Sequence, residues 1–414
     1  MDRKASPQSS MNGLNWKIEH ECPQCGAPVI LEETDRLFTC AFCRTRLYIS
    51  ATDHLRHWIP PGGANGETVF IPYWRIRGLT YTFAPLDMTG RYIDTSAGAV
   101  ELAGLPLSLG LRPQAMTLKF VTPKSPGTFL RPTRALHDAM PDAGRTDDGT
   151  RRSVFIGESV NLIYTPMFIK DGVLYDAILR RPVTAWNPDG AVPHSPEEIC
   201  TATRFVATLC PQCGWDLAGE KDALVLTCGN CNSAWICEGD VFRQIPFSVM
   251  EGRGEHLVYF PFWRIKPRIS GISAASFADF VRLANLPRVV TDDMEKRPLH
   301  FWSPAFKVNP TLYLRWSRQM TVLQPEDDFD DRRVPSAAYP VNLAVGEAVE
   351  NVRVILGAVM TDKRMFYQNM PHIRIDPGDF LLVYHPFVVD RQEFRHEKMG
   401  LVMEKNALRF GATM

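Results

Sequence analysis

The sequence carries no excess of charge of either sign. Lysine plus arginine and aspartate plus glutamate each number 46 among the 414 residues, so the formal net charge is zero. Proteins that bind nucleic acids mainly through the phosphates usually carry a basic excess. The even balance therefore argues against broad nucleic-acid binding by the whole chain and leaves only a local basic patch open to that function.

Long apolar runs are absent as well. No stretch of about 18 consecutive apolar residues occurs, so we expect no membrane-spanning helix. The first residues, Met1 to Gly13, are polar and contain no apolar core of the kind that a signal peptide needs. We interpret residues 1–15 as a flexible tail and expect a cytoplasmic protein.

The common catalytic motifs are missing too. The sequence contains no Walker loop, no Gly-x-Gly-x-x-Gly ahead of a helix, no His-Glu-x-x-His and no Gly-x-Ser-x-Gly. Its ten histidines are scattered. We therefore predict a protein without catalytic activity, and an enzyme that uses a cleft between two halves of the chain is the third of our functional hypotheses.

Cysteines, in contrast, are plentiful and regularly spaced. The pentapeptide Cys-Pro-Gln-Cys-Gly starts at Cys22 and again at Cys210, 188 positions later, and each copy is followed by a second Cys-x-x-Cys. The spacing inside the two copies is identical. The eight cysteines are Cys22, Cys25, Cys40 and Cys43 in the first copy and Cys210, Cys213, Cys228 and Cys231 in the second.

Four thiolates in two Cys-x-x-Cys pairs are the donor set of a tetrahedral zinc site. In a chain without an export signal this pattern favours metal over disulfides, so we predict two zinc ions per chain. Because protein sulfurs fill all four positions, no site remains for water or substrate, and we expect a structural role. Gly26 and Gly214, which follow the first pair of each copy, are expected at positive φ.

The motif resembles the zinc-ribbon family, whose members carry Cys-Pro-x-Cys-Gly followed by a second Cys-x-x-Cys. The resemblance covers residues 16–50 and 203–240. It implies the ribbon fold and zinc but no single function, because zinc ribbons occur in transcription factors, polymerase subunits, helicases and ribosomal proteins. Iron in a rubredoxin-type site is the alternative. Rubredoxins repeat Cys-Pro-x-Cys-Gly at both pairs, whereas the second pairs here, beginning at Cys40 and Cys228, lack that pattern.

The order of motifs after the first ribbon recurs after the second. An aromatic strand, Ile71 to Ile76, is matched by Val258 to Lys266, and a hairpin at Asp171-Gly172 is matched by one at Asp390-Arg391. We predict a tandem duplication of the α+β class, mostly β, in which each half is a zinc ribbon followed by a β-rich domain. The predicted units are the tail 1–15, zinc ribbon 16–50, β-rich domain 51–186, linker 187–202, zinc ribbon 203–240 and β-rich domain 241–414.

Three local patterns give further structural expectations. Pro72 in the first aromatic strand predicts an edge strand or a bulge. Arg112-Pro113 predicts the start of a short helix that runs through Phe120. Residues from Ser273 to Leu286 place apolar side chains at helical spacing, which predicts a helix without a counterpart in the first half.

A repeated aromatic-basic tripeptide is the second conspicuous feature. One interpretation is a core strand with the tryptophan packed inward. The other is a face that binds a partner, because Trp, Tyr and Arg are frequent at interaction hot spots. The candidate interaction surface consists of Tyr73, Trp74, Arg75, Phe262, Trp263 and Arg264.

Two charged stretches offer local patches within the neutral chain. The segment from Leu102 to His137 contains five arginines and lysines and no acidic residue, and residues 326–331 form a strongly acidic loop. The basic stretch comprises Arg112, Lys119, Lys124, Arg131 and Arg134. Such a patch can bind an acidic partner, although a solvated loop is the commoner outcome.

These observations favour a non-catalytic protein with two zinc ions that acts as an interaction or assembly module through its β-rich domains. Its expected partner is another protein, which the sequence does not identify. A nucleic-acid-associated factor of the transcription or replication type is the alternative, and it rests on analogy with other zinc ribbons.

Overall fold

The computed structural model describes residues 16–62, 67–110, 116–140, 152–200, 203–254, 256–325, 329–330 and 333–408. The predicted tail and most of the predicted acidic loop lie outside these residues. Within them strands predominate, and the longer helices lie in the second half. The fold is therefore mostly β with some α, as predicted.

Strands in the first half, in chain order, are β1 (Lys17–Glu21), β2 (Pro28–Glu32), β3 (Leu37–Thr39), β4 (Arg46–Ala51), β5 (Leu55–Trp58), β6 (Thr68–Phe83), β7 (Met88–Gly98), β8 (Leu118–Phe120), β9 (Thr128–Leu130), β10 (Ser153–Lys170), β11 (Val173–Asp176), β12 (Pro182–Ala185) and β13 (Pro193–His194). The helices described there are short: α1 (Leu136–Ala139) and α2 (Pro196–Cys200).

Strands in the second half are β14 (Thr203–Ala207), β15 (Leu217–Ala218), β16 (Val225–Cys228), β17 (Ser233–Glu238), β18 (Val241–Ile245), β19 (Phe247–Met250), β20 (Leu257–Ser270), β21 (Phe301–Pro304), β22 (Phe329–Asp330), β23 (Arg374–Val389), β24 (Glu393–His396) and β25 (Leu401–Glu404). The α-helices are α3 (Phe277–Leu283), α4 (Asp292–Lys296), α5 (Pro310–Leu323), α6 (Val345–Val359) and α7 (Lys363–Asn369), followed by a 3₁₀ turn, Met370–His372.

The first half is organised around the long antiparallel pair β6 and β10. They belong to an 11-stranded sheet in which β7 and β9 also pair with β6, and β5 pairs with β10. Both strands are rich in β-branched and aromatic residues, which favour extended backbone. Nearly every residue of β6 is buried, because separate apolar clusters cover the two faces of the sheet.

Pro72 lies in this central strand, which corrects the expectation of an edge strand. The second neighbour of β6 changes at Pro72: β9 pairs with Val69 and Phe70, whereas β7 pairs from Tyr73 onward. A proline has no N–H to donate and therefore fits between the two ladders. Its carbonyl accepts a hydrogen bond from the N–H of Ala99 at 3.0 Å.

The second half is built on the antiparallel pair β20 and β23 in a seven-stranded sheet. β19 runs parallel to β23, as β5 runs parallel to β10 in the first half. The predicted helical pattern between residues 273 and 286 is confirmed as α3, which Ser276 caps with its hydroxyl. Residues 118–120 form strand β8 instead of the predicted helix end, because they pair with both β1 and β5.

One large apolar core includes side chains from both halves. The far ends of β6 and β10 contribute Leu79, Tyr81, Phe83, Val154 and Ile156 to a cluster that otherwise comes from the second half. The hydroxyl of Tyr81 donates a hydrogen bond to the carbonyl of Pro310 at 2.7 Å. The two halves are therefore held together by burial of apolar surface.

The segment predicted as a linker, residues 187–202, packs on the first half over its described part. β13 pairs with β9, and Ile199 of α2 is fully buried. Composition alone did not indicate this, because the segment is rich in proline and polar residues.

Candidate metal centres

All four Cys-x-x-Cys pairs lie in tight turns that are closed in the same way. In the first turn the N–H of Gly26 donates to the carbonyl of Cys22 at 2.8 Å. The bond recurs from Arg44 to Cys40 at 2.9 Å, from Gly214 to Cys210 at 2.8 Å and from Asn232 to Cys228 at 3.1 Å. The donor has positive φ in every turn, which confirms the expectation for Gly26 and Gly214. Arg44 and Asn232 adopt it without being glycine.

These turns bring the eight predicted cysteines into two clusters of four. In each cluster the four sulfur atoms lie within 4.8 Å of one another. In the first, the Sγ atoms of Cys22 and Cys43 are 3.8 Å apart, and those of Cys25 and Cys40 are 3.7 Å apart. In the second, Cys210–Cys231 and Cys213–Cys228 are both 3.5 Å apart.

The sulfur positions fit one tetrahedral metal ion per cluster. Four sulfurs around a metal at about 2.3 Å form a tetrahedron with edges of about 3.8 Å, close to the distances in both clusters. Two cysteines of each cluster are buried, one is half-buried and one is exposed, in the same order along both copies. Each cluster can therefore hold a metal ion, and a metal there would have a complete set of protein ligands.

A hydroxyl group lies beside the last cysteine of each cluster. Thr45 Oγ1 is 3.3 Å from the sulfur of Cys43, and Ser233 Oγ is 3.0 Å from the sulfur of Cys231. The indole N–H of Trp235 donates to the Ser233 oxygen at 2.8 Å, which leaves the hydroxyl proton for the sulfur. Both hydroxyls lie two residues after the cysteine, a signal that the sequence analysis missed.

Hydrogen bonds favour the thiolate form, which metals bind, at one cysteine of each cluster, whereas burial and the neighbouring thiols raise the pKa of Cys25 and of Cys231 to about 12. The hydroxyl and the backbone N–H of Thr45 lower the pKa of Cys43 to about 6. In the second cluster the side chain of Asn230, followed by the backbone N–H of Trp215, lowers the pKa of Cys213 to about 6. A thiol that ionises readily is a better metal ligand, because only the thiolate coordinates.

The two ribbons are joined to each other. β14, which leads into the second cluster, pairs antiparallel with β4, which leaves the first. The carbonyl of Lys221 accepts hydrogen bonds from the N–H groups of Arg36 at 2.6 Å and Leu37 at 2.8 Å. The sequence did not indicate this union, because nothing in a 35-residue ribbon pattern encodes which distant strand it pairs with.

The predicted aromatic-basic interaction surface is wrong for five of its six residues. Tyr73, Trp74, Phe262 and Trp263 are buried in the apolar clusters of the two sheets, and Arg75 is buried as well. Trp74 and Trp263 donate indole N–H hydrogen bonds to the carbonyls of Arg134 and Leu343, respectively, both at 2.9 Å. Arg264 is half-buried, and burial lowers its pKa. These side chains form cores, because each strand lies between two covered sheet faces.

Arg75 instead anchors the first ribbon to the sheet. Its Nε lies 3.1 Å from Oε1 of Glu33, which follows β2, and its guanidinium pairs with Asp94 on β7. Arg77 lies 3.4 Å from the other oxygen of Glu33. The guanidinium of Arg75 also stacks on the indole of Trp16 at 4.4 Å. The charge of Arg75 is therefore paired with carboxylates inside the protein.

The basic stretch does not form a continuous patch over its described residues. Lys119 pairs with Glu19 at 3.3 Å, and Arg131 pairs with Glu198 at 3.5 Å. Arg134 donates to a backbone carbonyl of α1. Arg112 lies outside the described residues.

Exposed apolar side chains lie beside the cysteine turns. Phe42, between the cysteines of one turn, is 70% exposed, and Trp215, directly after Gly214, is 62% exposed. Leu209, which precedes Cys210 and lies opposite Asp216 in an isolated bridge, is 54% exposed. The N–H of Thr208, the residue before Leu209, donates to the carbonyl of Arg46 in the first ribbon at 3.4 Å. We call Phe42, Leu209 and Trp215 the knuckle face.

Comparison with protein-family models, with curated proteins and with solved structures finds no match for this chain. Among the described residues, no helix combines the length and the apolar character needed to cross a membrane. The candidate function therefore rests on the chemistry and geometry of the two clusters and of the surface around them.

Proposed function

We propose that the protein binds two structural zinc ions, one in each four-cysteine cluster. Support comes from the all-thiolate donor set and from sulfur separations of 3.5 to 3.8 Å, which suit Zn–S bonds. A zinc ion with four protein sulfurs has no free position for substrate, so its contribution is to folding. Free thiolates of this kind require a reducing compartment, which favours the cytoplasm.

We further propose that the two halves arose by tandem duplication. In each half one long strand, β10 or β23, lies between a parallel and an antiparallel neighbour and continues into a hairpin. Trp74 pairs with Leu162 in one sheet, and Trp263 pairs with Leu382 in the other. Conservation of strand order together with cysteine spacing supports a common ancestor of the halves.

The function that the geometry supports best is a non-catalytic interaction or assembly module. The observation that carries this proposal is the knuckle face, with three large apolar side chains more than half exposed in or beside cysteine turns that backbone hydrogen bonds close. Exposed aromatic groups on a rigid support are typical of partner-binding hot spots. The expected partner is a protein. We assign its contact region to the joined ribbons, because the aromatic strands are buried.

Metal analysis of the purified full chain tests the first part. We expect two zinc ions per chain in the wild type and about one in each of C25S and C213S. Both substitutions remove the exposed ligand of a cluster and leave the buried sulfurs in place. Iron in place of zinc, or a single zinc per wild-type chain, would contradict the assignment.

Comparative affinity purification from the native host tests the second part. We expect proteins that are retained by the wild type to be lost with F42A and with W215A. V289A is the matched control, because Val289 is an exposed apolar side chain between α3 and α4, away from the ribbons. Equal recovery with all four proteins would remove the knuckle face as the contact.

A gel-shift assay distinguishes the alternative. If the wild-type chain retards single- or double-stranded nucleic acid at about 50 mM salt, and W215A does not, the knuckle face binds nucleic acid and the protein-partner proposal fails.

A further inference from the structure

The strand that leads into one metal cluster belongs to the sheet of the other. Pairing of β14 with β4 runs from Thr203 opposite Ala51 to Ala207 opposite Leu47. Cys210 follows Ala207 by three residues, and Cys43 precedes Arg46, the first residue of β4, by three. Ligands of both clusters are therefore connected by one short, hydrogen-bonded ladder.

A second connection runs through the loop between the cysteine pairs of the second ribbon. Lys221, within that loop, accepts hydrogen bonds at 2.6 and 2.8 Å from two successive N–H groups of the first ribbon, those of Arg36 and Leu37. Leu37 opens β3, which ends one residue before Cys40. The position of this loop depends on both of its flanking cysteine pairs, because they close on the same ion.

A third connection is a shared apolar core. Leu37 and Tyr48 of the first ribbon pack in one buried cluster with side chains of the second, and two ligands of the second cluster belong to it. The members from the second ribbon include Cys210, Leu217, Leu226, Cys228 and Trp235. Phe205 of β14 stacks on His20 at 4.6 Å, and His20 lies two residues before Cys22.

A ribbon alone has too little core to fold and relies on the free energy of metal binding. Here the two ribbons share a core, so unfolding of one ribbon on loss of its metal would expose apolar surface on the other. We propose that the two clusters form one cooperative unit, in which metal bound at one raises the affinity of the other for metal. This inference rests on the zinc binding proposed above. By linkage, the coupling factor, which is the factor by which zinc at one cluster raises the zinc affinity of the other, must be the same in both directions.

Zinc titration of the metal-free wild-type chain, followed by native mass spectrometry, tests the coupling without a variant. At one equivalent of zinc we expect chains with no zinc and chains with two zinc ions to predominate over chains with one. Independent, equal sites would give about half of the chains with one zinc, the binomial result, and this would overturn the inference. Absence of any zinc binding would instead overturn the proposed function.

Chelator competition with variants that lack one ligand measures the coupling factor between the two clusters. We expect the remaining site in C25S and in C213S to lose at least tenfold in zinc affinity relative to the wild type, and by similar factors. C200S is the matched control, because Cys200 lies outside both clusters, and its affinities should equal those of the wild type. Unchanged affinity in both ligand variants would refute coupling while leaving two-zinc binding intact.

A variant that alters a contact between the ribbons, but no cysteine, separates coupling from ligand loss. F205A retains all eight ligands but removes the ring that stacks on His20 and lies near Phe38 and Phe120. We expect it to bind two zinc ions at saturation, with the coupling factor reduced toward one. If the coupling factor of F205A equals that of the wild type, the packing between the two ribbons does not transmit the effect, and the inference fails.

Discussion

At the scale of single residues, the charges of the chain matter most where they are buried. Glu33, Arg75 and Arg77 are almost inaccessible to solvent, and both arginines lie within ion-pair distance of Glu33. Asp94, partly exposed, supplies the second negative charge. A buried ion cluster of this kind is costly to assemble and more costly to leave incomplete, because the remaining charge has no water to solvate it.

Glu33→Gln tests this cluster. With the carboxylate removed, Arg75 and Arg77 lose the buried charge that both of them face, and we expect a loss of about 3 to 5 kcal/mol in the free energy of unfolding, measured by urea denaturation. Glu19→Gln is the control, since Glu19 pairs with Lys119 at the surface and should contribute about 1 kcal/mol or less. Equal effects of the two substitutions would contradict the structural role of Glu33.

Glu347 makes the stability of the protein depend on pH. Burial raises its pKa to about 7, and Glu350 adds to the rise, although the N–H of Gly157 stabilises the carboxylate. The folded pKa exceeds the usual value of 4.5, so this contribution to stability is present below pH 4.5 and is lost as the pH rises through 7. Buried His57 and His385, whose pKa values are lowered by burial, act in the opposite direction below pH 6.5.

Glu347→Gln separates the contribution of Glu347 to this pH dependence from those of the histidines. We expect the variant to be more stable than the wild type by about 1 to 2 kcal/mol at pH 8 and to approach it at pH 5, because glutamine carries no charge to desolvate. Thermal unfolding of both proteins across this range provides the measurement. Glu404→Gln, at an exposed position on β25, should leave a pH-independent difference near zero. A constant difference for Glu347→Gln would disprove the assignment.

At the scale of elements, helix α6 shows how one residue type has opposite roles in one helix. Gly346 is exposed, and a Cβ built on it meets nothing within 4 Å. Gly357 faces the junction of the halves, where a Cβ would lie 2.2 Å from Phe83 and 2.7 Å from Phe366. The first glycine weakens the helix, whereas the second permits close packing.

Alanine substitutions at the two glycines should therefore have opposite signs. Gly346→Ala is expected to stabilise the protein by about 0.5 kcal/mol, because alanine loses less backbone entropy in a helix. Gly357→Ala is expected to destabilise it by about 1 to 3 kcal/mol through overpacking. Each variant serves as the other's control in the same unfolding assay. Stabilisation by both would show that Phe83 does not pack against α6.

Element predictions from sequence succeeded where the local signal was strong. The capped amphipathic helix α3 and the Asp171-Gly172 hairpin between β10 and β11 agree with their patterns. The helix predicted through Phe120 failed, because three residues between two strands gain more from ladder hydrogen bonds than from a proline-initiated turn. The edge predicted for Pro72 was wrong, because the sequence does not show that the second neighbour of β6 changes from β9 to β7 at this residue.

At the scale of the whole molecule, the two halves share an apolar core. Residues from the ends of β6 and β10 complete a core that contains Phe262 and Trp316 of the second half. Arg152 donates to the carbonyl of Tyr367 and its guanidinium stacks on that ring at 4.4 Å. The joined ribbons add a second contact at a different place.

Separate expression of residues 1–200 and 201–414 tests whether the two halves depend on each other. We expect neither fragment to give a cooperative unfolding transition alone, because each would expose its part of the shared core. Mixing or coexpression should restore a 1:1 complex, seen by size-exclusion chromatography. Cooperative unfolding of both isolated fragments would show that each half is an independent domain.

The sequence by itself determined the features that depend on short-range geometry. Two cysteines separated by two residues share a turn, so the cysteine pairs followed from their spacing, and the positive φ of Gly26 and Gly214 followed from the glycine after each pair. The alternation of apolar residues likewise gave the mostly β class.

Only the tertiary structure decided which surfaces remain exposed and which strands meet across long separations. A tryptophan or an arginine has the same letter in a core as at an interface, so burial of Trp74, Trp263 and Arg75 became visible only when both sheet faces were covered. The union of the ribbons through β4 and β14 joins residues more than 150 positions apart. Contacts of this kind depend on the free energy of the whole fold, which no local pattern encodes.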